Sequence, residues 1–237
     1  PAYARTSPVL SHPSIREKVR VIPNGISEQS YSTWTDKGIF ERIGLAPDTP
    51  YFLFVGVLRY YKGLHTLIQA ARHVSAKIVI AGSGPEETNL KKLSSQTSTQ
   101  NLIFAGQVSD AEKMALLQSC RALVLPSHLR SEAFGIVLVE AAMFARPLIS
   151  CEIGTGTSYV NAHEETGFVV EPESTTALAQ AMNTLLTDDA LATRMGLAAR
   201  TRYECAVAAD AKGGLARARL GLTEESQGLG ERAEREY

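Results

Sequence analysis

From Tyr51 to about Tyr203 the chain alternates between two textures. Short, near-continuous apolar runs form the first: YFLFVGV (51–57), AKIVIAG (76–82), NLIFAG (101–106), RALVLP (121–126) and RPLIS (146–150). Runs without polar alternation are what strands buried on both faces require. Stretches with helical spacing lie between them. Leu64, Leu67, Ile68 and Ala71 fall at i, i+3, i+4 and i+7 and make one apolar stripe. Ala111, Met114 and Leu117 repeat this more weakly after Asp110, with Ser109 placed to cap. Then TGFVV (166–170) predicts a last short strand, STTALAQAMNTLLTD (174–188) a helix capped by Ser174, and 189–203 a further helix.

Strand–helix–strand repeated in this way predicts an α/β fold: a doubly wound, Rossmann-like parallel sheet with helices on both faces. Residues 1–17 read as an entry segment and 18–203 as the domain. KVRVIPNGI (18–26) predicts a short strand ending in a Pro-Asn-Gly turn. The tail, 204–237, is rich in Ala, Gly, Arg and Glu and predicts weak helix or disorder.

Composition narrows the function classes. The 237 residues carry a formal net charge of -1, so no global basic field attracts nucleic acid. No 18-residue apolar run offers a transmembrane segment, and PAYARTSPVL lacks the layout of a signal peptide. Cys120, Cys151 and Cys205 form no CxxC pair, which argues against structural zinc and a disulfide framework and fits a reducing, cytoplasmic setting.

Ligands of open parallel sheets bind at the carboxyl ends of the strands, so the loops there carry the chemistry. The first is GVLRYYKG (56–63). Gly56 allows close backbone approach, and Arg59 and Lys62 stand beside a helix start, an arrangement suited to a diphosphate. The alternative is two solvated charges on a turn. GSGP (82–85) is not GxGxxG, because of Pro85; Gly82 and Gly84 either admit a ligand or make a tight turn. An NAD oxidoreductase is disfavoured, since ARHVSAK offers no acid where the ribose would need one. In FAGQVSD, Gly106 and Val108 could present main-chain groups to a base, or form a plain strand exit. Finally PSHLRSEAFG (126–135) leads into an apolar helix. Glu132 precedes it at the dipole-positive end. Glu140 lies within it, where a buried carboxylate needs hydrogen bonds. Ribose hydroxyls or a structural ion pair would each supply them.

Taken in order, GVLRYYKG, GSGP, FAGQVS and the Glu132-x7-Glu140 pair resemble the C-terminal, donor-binding half of a GT-B fold glycosyltransferase of family GT4, over roughly residues 17–203. The resemblance implies roles. Arg59 and Lys62 would hold the donor diphosphate, and Glu132 would bond the sugar hydroxyls. The backbone of Ala133, Phe134, Gly135 and Ile136 would touch sugar and phosphate, Glu140 would bind the ribose, and Gly106 to Val108 would face the base. Asn24-Gly25 resembles the family's hinge motif. Members retain anomeric configuration and usually use no metal. The loop CEIGTGTSYV (151–160) departs from the family's common Gly-Gly-x-Pro-Glu form and, with RSEAFGIVLVE, resembles bacterial polysaccharide mannosyl- and rhamnosyltransferases. A GDP-sugar donor, GDP-mannose first, is the expectation, with no other cofactor; the alternatives are a UDP-sugar-dependent member, or a nucleotide-sugar-binding module or non-catalytic partner. A glycan or lipid-linked acceptor would bind through an N-terminal domain not contained in this chain, at the inner membrane face if the acceptor is lipid-linked. The face left for that domain would favour self-association of the isolated chain.

Overall fold

The structure, a computed structural model, describes residues 7, 9–19, 26, 28, 31, 35–97 and 99–219, with side chains up to residue 207. The expected strand and turn over 18–26, including Asn24 and Gly25, fall almost wholly outside the described residues.

Among the described residues, six strands form one parallel sheet: β1 (Tyr51–Val55), β2 (Lys77–Ala81), β3 (Leu102–Gly106), β4 (Ala122–Leu125), β5 (Leu148–Cys151) and β6 (Gly167–Val170), in the order β3-β2-β1-β4-β5-β6. The helices are α1 (Gly38–Arg42), α2 (Leu64–Ala71), α3 (Glu87–Gln96), α4 (Asp110–Ser119), α5 (Ile136–Met143), α6 (Thr157–Val160), α7 (Thr175–Thr187) and α8 (Asp189–Arg219). Helices α2, α3 and α7 pack together on one face, and α4, α5 and α8 on the other. This is the doubly wound α/β architecture that the apolar runs predict. Phe52, Leu53, Ile78, Val79, Leu123 and Ile149 are fully buried, because helices cover both faces.

Local signals act as expected. Ser109 accepts from the Glu112 N–H at 3.2 Å, and Glu112 reaches back to the Ser109 N–H at 2.7 Å, a complete capping box on α4. Ser174 Oγ accepts from the Ala177 N–H at the start of α7. The stripe of Leu64, Leu67, Ile68 and Ala71 is buried. The Tyr51 hydroxyl donates to the Leu116 carbonyl at 2.6 Å and ties α4 to the start of β1.

The last helix runs farther than the helical stretch 189–203. It continues to Arg219, so the boundary at 203–204 lies inside α8. Beyond the buried stripe of Ala192, Met195, Ala199 and Tyr203, the extension is rich in Ala and holds no proline, and the helix runs on through Gly213 and Gly214. Tyr203, on that helix, is buried and donates to the Ile26 carbonyl at 3.2 Å. No described helix is long and apolar enough to cross a membrane.

The connections leave β1 in one direction along the sheet and β4 in the other. The crevice outside the carboxyl ends of β1 and β4 is therefore the topological switch point, where open α/β sheets bind ligands.

Candidate functional site

Three loops converge on that crevice. The loop after β1 enters a short 3-10 turn, Tyr60–Lys62, and reverses at Gly63, whose φ is +68. It runs against the loop after β4: the His128 N–H donates to the Tyr61 carbonyl at 3.0 Å. A Cβ on Gly63 would lie 2.0 Å from the Pro126 carbonyl oxygen, so only glycine permits this approach. The loop after β5 closes the group, with the Gly156 N–H donating to the Ala133 carbonyl at 2.9 Å.

This convergence brings Lys62 and Glu132 together from sequence positions 70 apart; Lys62 Nζ donates to Glu132 Oε2 in a mostly buried ion pair. Glu132, 8% exposed, also accepts from the Gly135 N–H at 3.0 Å on Oε1, and from Ser127 Oγ at 3.3 Å. The carboxylate thus sits at the N-terminus of α5, next to a cation and the positive end of a row of peptide dipoles. The Gly135 N–H expected to meet a ligand is engaged by Glu132 here. Lys62 Nζ lies 3.9 Å from where a Cβ on Gly56 would stand, so the bare backbone of Gly56 borders the same cation. Arg59 is exposed on this loop. Among the described residues it makes none of the hydrogen bonds or ion pairs around Glu132.

The glycines of GSGP are held by protein backbone. A Cβ on Gly82 would meet the Gly56 carbonyl oxygen at 2.1 Å, and one on Gly84 would meet Leu58 backbone atoms from 2.5 Å. Leu58 also exchanges hydrogen bonds with this segment, its N–H donating to the Ser83 carbonyl at 2.9 Å and its carbonyl accepting from the Glu86 N–H at 3.1 Å. Both glycines are thus packed closely against the backbone of the loop after β1. Gly106 has a left-handed φ of +67 with open space beside it, and its carbonyl accepts from the Gly82 N–H at 2.7 Å. Val108 is half-buried in the following loop.

Glu140 is buried, 5% exposed, on the second turn of α5. Its Oε1 accepts from Lys113 Nζ on α4 at 2.9 Å and from the Tyr31 hydroxyl at 2.9 Å. Both of these bonds fall on one carboxylate oxygen. Burial, then the hydrogen bond to Glu140 and its charge, pushes the Tyr31 phenol well above its ordinary pKa, so it remains a donor. Of the two partners weighed for this carboxylate, the ion pair is the one the structure displays. Sequence reasoning missed Lys113 and Tyr31, because neither stands at a local spacing from Glu140.

Around the crevice, Val57, Tyr60, Leu129 and Ile136 are exposed. A cavity of about 980 Å³ lies at the opposite end of the strands, lined by residues such as Pro47, Tyr51, Arg121 and Arg146. It touches the amino ends of β1, β4 and β5, where parallel sheets do not place their ligands.

A family profile described as glycosyl transferases group 1 matches residues 36–202. O-antigen chain mannosyltransferase C of Escherichia coli is 42% identical over 210 residues, covering 89% of this chain and 56% of that protein. D-rhamnosyltransferase WbpZ of Pseudomonas aeruginosa is 47% identical over 204 residues, covering 86% of this chain and 52% of that protein. The chain thus spans about half the length of the curated relatives it matches. Sucrose-phosphate synthase from Thermosynechococcus elongatus superimposes with a TM-score of 0.69 at 26% identity, over 86% of this chain and 53% of that one. With its parallel sheet, its crevice and the extent of these matches, the chain belongs to the glycosyl transferases group 1 family.

Proposed function

We propose that this chain is the donor-binding half of a retaining, metal-independent glycosyltransferase that moves a hexose, mannose first, from a GDP-sugar to a glycan or lipid-linked acceptor. The observation that carries it is the Lys62–Glu132 pair, closed across the switch-point crevice at the start of α5. A cation and a helix N-terminus together suit a diphosphate. Before donor binding, Glu132 compensates Lys62, so neither charge is buried alone. With donor bound, the diphosphate takes a share of Lys62 and of exposed Arg59, and Glu132 turns to sugar hydroxyls. Stabilising the departing diphosphate is then an electrostatic task.

Glu140 takes the ribose through its second oxygen, while Lys113 and Tyr31 hold the first. The segment from Gly106 to Val108 faces the base. The preference for GDP-mannose rests on likeness to the mannosyl- and rhamnosyltransferases named above. The acceptor binds through a domain outside this chain, and the exposed rim residues Val57, Leu129 and Ile136 offer that domain an apolar landing. The reaction runs in the cytoplasm, at the inner membrane face when the acceptor is lipid-linked.

Calorimetric titration with GDP, GDP-mannose, UDP and UDP-glucose tests this reading, repeated on Glu140→Ala. Guanosine ligands bind and the variant loses about tenfold or more, since a hydrogen bond to a charged group contributes about 1.5–3 kcal/mol. Preference for the uridine ligands would overturn the donor. Binding unchanged in the variant would remove Glu140 from the ribose.

A further inference from the structure

We propose that His65, His128 and Glu173 form a site for one divalent transition-metal cation of the zinc class, built from side chains that take no part in the proposed donor contacts. They come from three segments: the first turn of α2, the loop after β4, and the loop before α7. One ligand atom from each lies within 4.8 Å of the others, and His65 Nε2 stands 3.7 Å from Glu173 Oε1. Zinc holds imidazole nitrogen and carboxylate oxygen at about 2.0–2.2 Å, which sets tetrahedral ligands about 3.3 Å apart. The cluster therefore needs to close by about 1.5 Å at most. The exposed Glu173 side chain and the partly exposed His65 ring can supply that movement.

A second observation points to a ligand independently. His128 is 9% exposed, and neither of its ring nitrogens has a hydrogen-bond partner among the described residues. A neutral imidazole has one donor and one acceptor nitrogen, and buried polar groups without partners are exceptions that require a cause. A bound cation takes the acceptor nitrogen. Tyr60 walls the cluster, stacked on His65 at 5.7 Å and set edge-on to His128 at 4.9 Å. Two imidazoles and one carboxylate suit zinc, whereas calcium and magnesium take oxygen ligands. Three protein ligands leave a fourth position for water or a small anion. Such an ion would pin α2 to the loop that carries Glu132, stiffening one wall of the crevice.

The test is a titration of the chelator-stripped chain with zinc chloride, followed by calorimetry at neutral pH in a non-coordinating buffer. His65→Ala and Glu173→Gln alter partly exposed positions and keep the fold; His73→Ala removes an exposed histidine outside the cluster. The expected result is one zinc per chain, with affinity lower by at least about tenfold in the first two variants and unchanged in the third. Zinc should also raise the melting temperature of the parent chain more than that of Glu173→Gln. Absence of binding, or binding equally strong in all the variants, would overturn the site. The readout is metal binding alone, so it stands or falls separately from the donor reading.

Discussion

Glu140 concentrates the physics of this chain in one carboxylate. It is buried in an apolar helix and tolerated because Lys113 and Tyr31 meet it at 2.9 Å. Removing one partner of a buried pair leaves the other charge uncompensated. Lys113→Met is therefore expected to lower unfolding stability by about 3 kcal/mol, and Tyr31→Phe by about 1 kcal/mol, in urea denaturation. A Lys113→Met chain as stable as the parent would show that Glu140 draws its compensation elsewhere. That Glu140 is buried and in need of partners is legible in the sequence, from the run Ile136 to Val139 and Ala141 around it. Its partners are not. Lys113 is 27 residues away on another helix, and only the sheet's crossover brings α4 beside α5. The same holds for His65, His128 and Glu173, which no motif spacing joins.

Among the elements, the strands are legible from their unbroken apolar runs to within one or two residues, since burial on both faces leaves little choice of residue. Helix starts are legible where a cap marks them, as at Ser109 and Ser174. The end of α8 is not, because the helix runs on through Gly213 and Gly214, where composition argues for a stop, and no proline marks one. Loops are the subtler case. Gly82 and Gly84 read as places that admit a ligand or make a tight turn, and the neighbour the structure puts beside them is another loop's backbone. The same is true of Gly63, and Gly63→Ala tests it: a left-handed φ of +68 and a carbonyl 2.0 Å from the new Cβ both resist the substitution. The expected loss is about 3 kcal/mol of stability, with weaker nucleotide binding because Lys62 is displaced. A Gly63→Ala chain matching the parent in both respects would mean the two loops are not rigidly joined.

For the whole molecule, core thiols add a pH dependence. Burial pushes the Cys120 and Cys151 thiols up to about 12, against about 8.5 in an unfolded chain. Folding thus favours the neutral form. The contribution is fully present below the unfolded value and is lost as pH rises from there through the folded value. Urea midpoints should hold steady near neutrality and fall above about pH 9, with a shallower fall in Cys120→Ala. An unchanged slope in that variant would place the alkaline sensitivity elsewhere. The molecule offers two places for the nucleotide: the crevice at the carboxyl ends of β1 and β4, and the cavity at their amino ends. Titrating GDP into the isotope-labelled chain and following backbone amide resonances by NMR separates them. Shifts gathered at 56–63, 106–108 and 126–136 are the predicted result, and shifts gathered instead around 45–51, 119–121 and 145–147 would put the nucleotide at the amino ends and overturn the crevice as its site.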